Sequence, residues 1–216
     1  MSTLTVISSG LRSPSSTRML ADELAAAASA ALPGAPTPRV IELRELVKDI
    51  GSALLDGFNP PALQDALDAV STTDSLIVVT PTFQGSYAGL FKSFVDLLDA
   101  TALRRTPVLL AATGGSERHS LVIDHALRPL FSYLGAATVP TAVYAATQDF
   151  GAGTVALEQR IERAAQELAA LTSLHCARST PATGDDALGE AQRSMSRASG
   201  EQIGDFGDLL RSLGQA

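Results

Sequence analysis

The sequence predicts an α/β protein: an open, five-stranded parallel sheet with helices on both faces. Three observations point there. Residues 75–80 (SLIVVT) and 107–112 (PVLLAA) are almost wholly apolar, as strands buried on both faces are. Stretches patterned as strands alternate with stretches patterned as helices along the first 174 residues, and short loops join them, which is how parallel βαβ units are built. Length agrees as well: 216 residues, 45% of them apolar, suit one sizeable core plus an appendage rather than two full domains.

In chain order, residues 4–8 make the first strand, an apolar run closing on small polar residues. Residues 16–32 are rich in Ala, Leu and Glu with hydroxyl residues placed to cap, and read as the first helix. Pro33-Gly34-Ala35-Pro36 ends it. Residues 39–43 are the second strand. The loop Asp56-Gly57-Phe58-Asn59 precedes a second helix over 60–71. The third strand (75–80), third helix (87–99), fourth strand (107–112), fourth helix (120–134), fifth strand (138–144) and fifth helix (154–174) follow. Residues 1–174 are therefore expected to form one domain, and 175–216 a largely flexible C-terminal tail. That tail is rich in Ser, Ala, Gly and Asp, and only Phe206, Leu209, Leu210 and Leu213 could make a short amphipathic turn.

Charge and cysteine content narrow the function. The formal net charge of −7 argues against a nucleic-acid surface or a polybasic membrane anchor. No apolar run approaches the roughly 18 residues of a membrane span. The N-terminus lacks the charged and apolar regions of a signal peptide. Cys176 is the only cysteine, which excludes an internal disulfide and fits a reducing, cytoplasmic setting. No metal-ligand motif, nucleophile elbow or defensible carboxylate pair is present.

Two strand orders suit this alternation, 3-2-1-4-5 and the flavodoxin-like 2-1-3-4-5, and the first loop separates them. The segment Ser8-Ser9-Gly10-Leu11-Arg12-Ser13-Pro14-Ser15-Ser16-Thr17 has neither G-x-G-x-x-G nor G-x-x-x-x-G-K-[ST]. It sets hydroxyls and one glycine at a helix N-terminus, where unpaired N–H groups and the helix dipole attract an anion. Ser15, Ser16 and Thr17 could cage a phosphate monoester without metal or lysine; a plain cap by Ser15 or Ser16 would account for the same residues. In the 2-1-3-4-5 order a ligand lies outside the ends of strands one, three and four. After strand three comes Pro81-Thr82-Phe83-Gln84-Gly85-Ser86-Tyr87, with two aromatics and backbone groups able to meet a flat heterocycle. After strand four comes Thr113-Gly114-Gly115-Ser116, where missing side chains let backbone approach a ring. Each loop alone is ordinary turn chemistry; three at adjacent strand ends suit a ligand.

Ser9-Gly10-Leu11-Arg12 with Ser15-Ser16-Thr17, then TPTFQGSYAGLFKSFVDLLD (80–99) and ATGGSERHSLVIDHALRPLFSYLGA (112–136), resemble the NADPH-dependent FMN reductase family of flavodoxin-like proteins. Within it they are most similar to the flavin reductases that supply reduced FMN to two-component monooxygenases. The resemblance covers residues 1–174. It implies FMN as the flavin, NADPH or NADH as hydride donor, and a flavin-dependent monooxygenase as recipient. It also implies flavin contacts from the three loops just quoted, with His119 either at the nicotinamide or flavin edge or simply opening a helix. The family usually has Gly-Ser-x-Arg where this chain has Ser9-Gly10-Leu11-Arg12, a departure that bears on Arg12. No side chain is assigned as catalytic, because hydride transfer is the cofactor's chemistry. Alternatives are an FMN-holding reductase of quinones, azo dyes or chromate-type oxyanions, and a flavodoxin-type electron carrier. The carrier would have a T/S-x-T-G-x-T-like first loop, which this chain lacks.

The helix at 120–134 is apolar all round. Ile123, Leu127, Leu130, Phe131 and Leu134 make a sheet-facing stripe; Leu121, Val122, His125, Pro129 and Tyr133 lie opposite. Such a helix needs a second partner, so a homo-oligomer, dimer or tetramer, is expected through it. Pro129 has no N–H for the carbonyl of His125, which predicts a kink or a π-bulge near His125. The two-component flavin reductases are similar in carrying a π-helix there, marked by an inserted Tyr or His.

Overall fold

The computed structural model describes residues 2–150 and 155–179. The chain runs β1 (Leu4–Ser8), α1 (Ser16–Ala31), β2 (Arg39–Glu42), α2 (Val47–Asp56), α3 (Pro61–Ser71), β3 (Ser75–Phe83), β4 (Ser86–Tyr87), α4 (Gly89–Val95), β5 (Pro107–Gly114), α5 (Arg128–Tyr133), β6 (Ala137–Thr138), β7 (Val143–Ala146) and α6 (Val155–Ser179). The sheet order is β2-β1-β3-β5-β6, all parallel, and β7 pairs with β5 beyond β6. This is the flavodoxin-like 2-1-3-4-5 order, with β6 and β7 sharing the fifth place.

Alternate residues of each strand face opposite layers. Val6, Ile77, Val79, Leu109 and Ala111 pack under α1 and α6. Ile7, Leu76, Val78, Val108 and Leu110 pack under α2, α3, α4 and the 123–134 helix. That two-sided burial is why β3 and β5 read as continuous apolar runs.

Four elements differ from the sequence reading. The fifth strand is split at Val139-Pro140-Thr141-Ala142, because Pro140 has no N–H for the ladder. Arg128 covers the break, donating to the carbonyls of Val139 (3.2 Å) and Pro140 (3.3 Å). An additional helix, α2, occupies 47–56 and ends at Gly57 with φ +69°. The loop after β3 is a hairpin: Thr82 and Phe83 pair antiparallel with Tyr87 and Ser86 across Gln84 (φ 50°) and Gly85 (φ 76°), a primed turn with both central residues left-handed. The third helix therefore starts at Gly89, not at 87. Finally, α6 continues through Ser179, so residues 175–179, assigned to the tail, are helical. The rest of that expected tail, 180–216, lies outside the described residues.

The expected irregularity in the fourth helix is present. Residues Ile123–Leu127 form a π-helix, closed by Arg128 N–H donating to Ile123 carbonyl five residues back. Ile123, Leu127, Phe131 and Leu134 are buried against the sheet and Leu130 is half-buried. Leu121, His125, Pro129 and Tyr133 are exposed as expected, with Leu121 60% and Tyr133 82% accessible. Val122 differs: it is buried in the core, the wider π turn having rotated it inward.

Candidate functional site

The parallel register brings all three loops to one edge of the sheet. Ser8 pairs with Val79, Pro81 with Thr113, and Gly114 with Ala146. A cavity of about 230 Å³ opens there, bounded by Gly10, Arg12, Ser15, Ser16 and Thr17 of the first loop and by Pro81 and Phe83 of the hairpin.

Internal bonds hold the first loop. Ser9 is fully buried; its N–H and hydroxyl both donate to Val79 carbonyl, at 3.0 and 3.2 Å. Gly10 is buried, and a Cβ there would lie 2.2 Å from Ser15 Oγ and 3.2 Å from Thr17 Cβ, so a side chain at 10 would displace the Ser15 hydroxyl from its place. Leu11 and Arg12 are exposed. Ser15 is the N-cap of α1, its Oγ accepting from Arg18 N–H at 3.2 Å. Ser16 is exposed, whereas Thr17 is buried and its hydroxyl lies 2.8 Å from that of Thr113. In a 16-residue helix the N–H groups of the first turn have no partner within the helix. Arg18 is drawn away from the loop by ion pairs with Asp22 and Glu42.

The hairpin is tied at its base by Thr80, whose buried hydroxyl accepts from Ala88 N–H at 3.0 Å. Phe83 is 46% exposed; Gln84 and Gly85 form the open tip. Pro81, Thr82, Ser86 and Tyr87 are half-buried, and the Tyr87 ring meets Phe91 edge-on at 5.7 Å. The Thr82 hydroxyl is buried beside the Tyr144 phenol.

In the third loop Thr113 is buried, Gly114 and Ser116 are half-buried, and Gly115 is exposed, with no atom within 4 Å of where a Cβ would stand. Glu117 to His119 form a 3-10 turn whose side chains, including His119, are exposed. Gln148 donates to the Glu117 carboxylate at 2.7 Å, joining this turn to the segment after β7.

Two residues of this region were not singled out by the sequence. Thr80 opens the 80–99 motif but reads as the last residue of the third strand. Tyr144 stands in β7, and its hydroxyl donates to Ser116 carbonyl at 2.8 Å. A lone aromatic among small residues (AVYAA) was the only available signal. Among the described residues, no group of three or more His, Cys, Asp or Glu is placed to hold a metal ion, and no helix is long and apolar enough to cross a membrane.

The sheet order, with loops gathered at the ends of β1, β3 and β5, defines a flavodoxin-like protein. The model of the NADPH-dependent FMN reductase family matches residues 2–151, and the chain belongs to that family. It is 45% identical over 168 residues to an FMN reductase (NADPH) of Pseudomonas aeruginosa, covering 76% of this chain and 89% of that one. It is 44% identical over 172 residues to the NADH-dependent FMN reductase SfnF of Pseudomonas fluorescens, covering 78% and 91%. Among solved structures, an oxidoreductase from Corynebacterium diphtheriae is 48% identical with a TM-score of 0.76, covering 81% of this chain and 98% of that one. The chain is thus an NAD(P)H:FMN oxidoreductase.

Proposed function

We propose that FMN binds across the ends of β1, β3 and β5 as an exchangeable substrate, and that the reduced flavin passes to a flavin-dependent monooxygenase. The observation that carries this reading is the cavity shared by the N-terminus of α1 and the hairpin residues Pro81 and Phe83. The donors there fit a phosphate monoester and a flat ring. The first-turn N–H groups of α1, the exposed Ser16 hydroxyl and Arg12 suit the phosphate. Thr17 and Ser9 instead serve the loop, since their hydroxyls are engaged inside the protein. The hairpin 81–87 and the loop Thr113-Gly114-Gly115-Ser116 flank the place left for the ring.

When bound, FMN accepts hydride from the nicotinamide; the protein's part is to align the two rings and to offer backbone donors to the charge that develops. The open rim at Gly115 and His119 leaves space for NADPH or NADH. Relatives named for each donor support both. Exposed Leu121, His125, Pro129 and Tyr133 support assembly of identical subunits through the 120–134 helix, and the single cysteine supports a cytoplasmic setting.

Flavin-fluorescence titration with FMN and riboflavin, on the wild type and Ser16→Ala, tests the placement, and gel filtration tests exchange. FMN should bind more tightly than riboflavin, the substitution should narrow that difference, and FMN should leave the protein on the column. Equal affinity for the two flavins would remove the phosphate from α1. Stoichiometric FMN retained through the column would make it a resident group.

A further inference from the structure

We propose that Tyr144 is a positioning residue for the flavin: its phenol is the post around which the Gly114-Gly115-Ser116 loop is folded, holding that loop in its binding shape. This rests on the reading above, in which the loop faces the ring.

The tyrosine touches both ends of the loop. A Cβ on Gly114 would lie 2.0 Å from the phenol oxygen and 3.1 Å from Cζ, so the ring tip occupies the space a side chain at 114 would need. The same oxygen donates to Ser116 carbonyl at 2.8 Å. The ring is 6% exposed and held by the register that pairs Tyr144 with Ala112. The two glycines therefore differ in purpose. Gly114 is glycine because the phenol lies against it; Gly115 meets nothing within 4 Å and turns outward.

The bond also orients a peptide. In a trans peptide C=O and N–H point in opposite directions. Turning Ser116 carbonyl onto the buried phenol directs the Glu117 N–H away from it. Without the phenol, Ser116 carbonyl keeps only the long 3.4 Å approach of His119 N–H from the 3-10 turn. Burial pushes the phenol pKa up, a hydrogen bond with the Thr82 hydroxyl opposes this and the Asp149 carboxylate adds to it, so Tyr144 remains a donor at neutral pH.

The test replaces the donor while keeping the ring. Tyr144→Phe should weaken FMN and riboflavin by the same factor, about tenfold, as expected for one lost hydrogen bond. It should also shift the visible absorption band of bound flavin. Replacing Tyr144 by 3,5-difluorotyrosine keeps the shape but makes the phenol more acidic. Affinity for both flavins should then fall as pH rises through its ionisation, where the wild type is flat. Wild-type affinity for both flavins in Tyr144→Phe, loss confined to FMN, or a flat profile across the pH range in which absorbance shows the fluorinated phenol ionising would each overturn the proposal. Gly115→Ala separates this from the underlying reading. If Gly115→Ala weakens both flavins and Tyr144→Phe does not, the loop faces the ring but Tyr144 does not position it. If neither Gly115→Ala nor Ser16→Ala affects binding, the site itself lies elsewhere and the proposal falls with it.

Discussion

The Thr17–Thr113 pair shows how far a residue's role depends on contacts made only in the folded chain. From its loop, Thr17 reads as a phosphate ligand. In the fold it is buried and hydrogen-bonded to a partner 96 residues away, joining the first loop to the third from beneath. Thr17→Val should leave the Thr113 hydroxyl unpaired and lower stability by about 1–3 kcal/mol, while Thr17→Val with Thr113→Val should recover most of the loss. Urea denaturation measures both. The ratio of FMN to riboflavin affinity should stay at the wild-type value in Thr17→Val; a fall in that ratio would put the hydroxyl on the phosphate after all. The three loops were legible because each carries its own turn chemistry. Tyr144 was not, since nothing nearby in sequence marks it, and the hydroxyl of Thr80 was read only as part of a strand; the importance of both arises from long-range contacts.

At the level of elements, Pro129 made the π turn legible: a missing N–H is a local fact with a local consequence. Helix α2 was harder to read, since Gly51-Ser52 lies at its middle and no side chain caps its start. The split of the fifth strand was readable in principle from Pro140, but the apolar residues around it suggested continuity. Deleting His125 should remove the extra residue of the π turn and restore regular α-helical register. Under the oligomer reading this tightens the interface and traps flavin. The variant should copurify with FMN, lose steady-state flavin reduction, and still accept one hydride from NAD(P)H. A colourless variant, or one unable to accept that hydride, would sever the link between this helix and flavin exchange. A second test lies where α6 meets the strand break. Burial disfavours the Glu167 carboxylate, but the N–H (2.7 Å) and hydroxyl (2.7 Å) of Thr141 and the Arg163 guanidinium outweigh it and hold its pKa below the ordinary glutamate range. A lowered folded-state pKa gives stability that is present above the unfolded value, about 4.3, and is lost as pH falls through the folded one. Thermal melts of Glu167→Gln should thus lie closest to wild type at acid pH and diverge from it above about pH 5. A gap that stays constant with pH would mean that the carboxylate's charge plays no part.

For the whole molecule, the proposed assembly through the outer face of the 120–134 helix can be tested directly. Leu121→Glu with Tyr133→Glu places two charges on exposed positions, so each chain should fold as before. If this face joins subunits, light scattering should show a smaller species than the wild type; an unchanged mass would place any interface elsewhere. The split strand has another consequence for such separated chains. Parallel sheets end in two rows of unsatisfied backbone groups, which are templates for fibrillar stacking. One border here is β2, four residues long and bracketed by charged Arg39 and Glu42. The other is interrupted by Pro140, with the Arg128 guanidinium covering the carbonyls beside it. Neither border offers an incoming strand a continuous docking line, so single chains should remain colloidally stable instead of seeding amyloid.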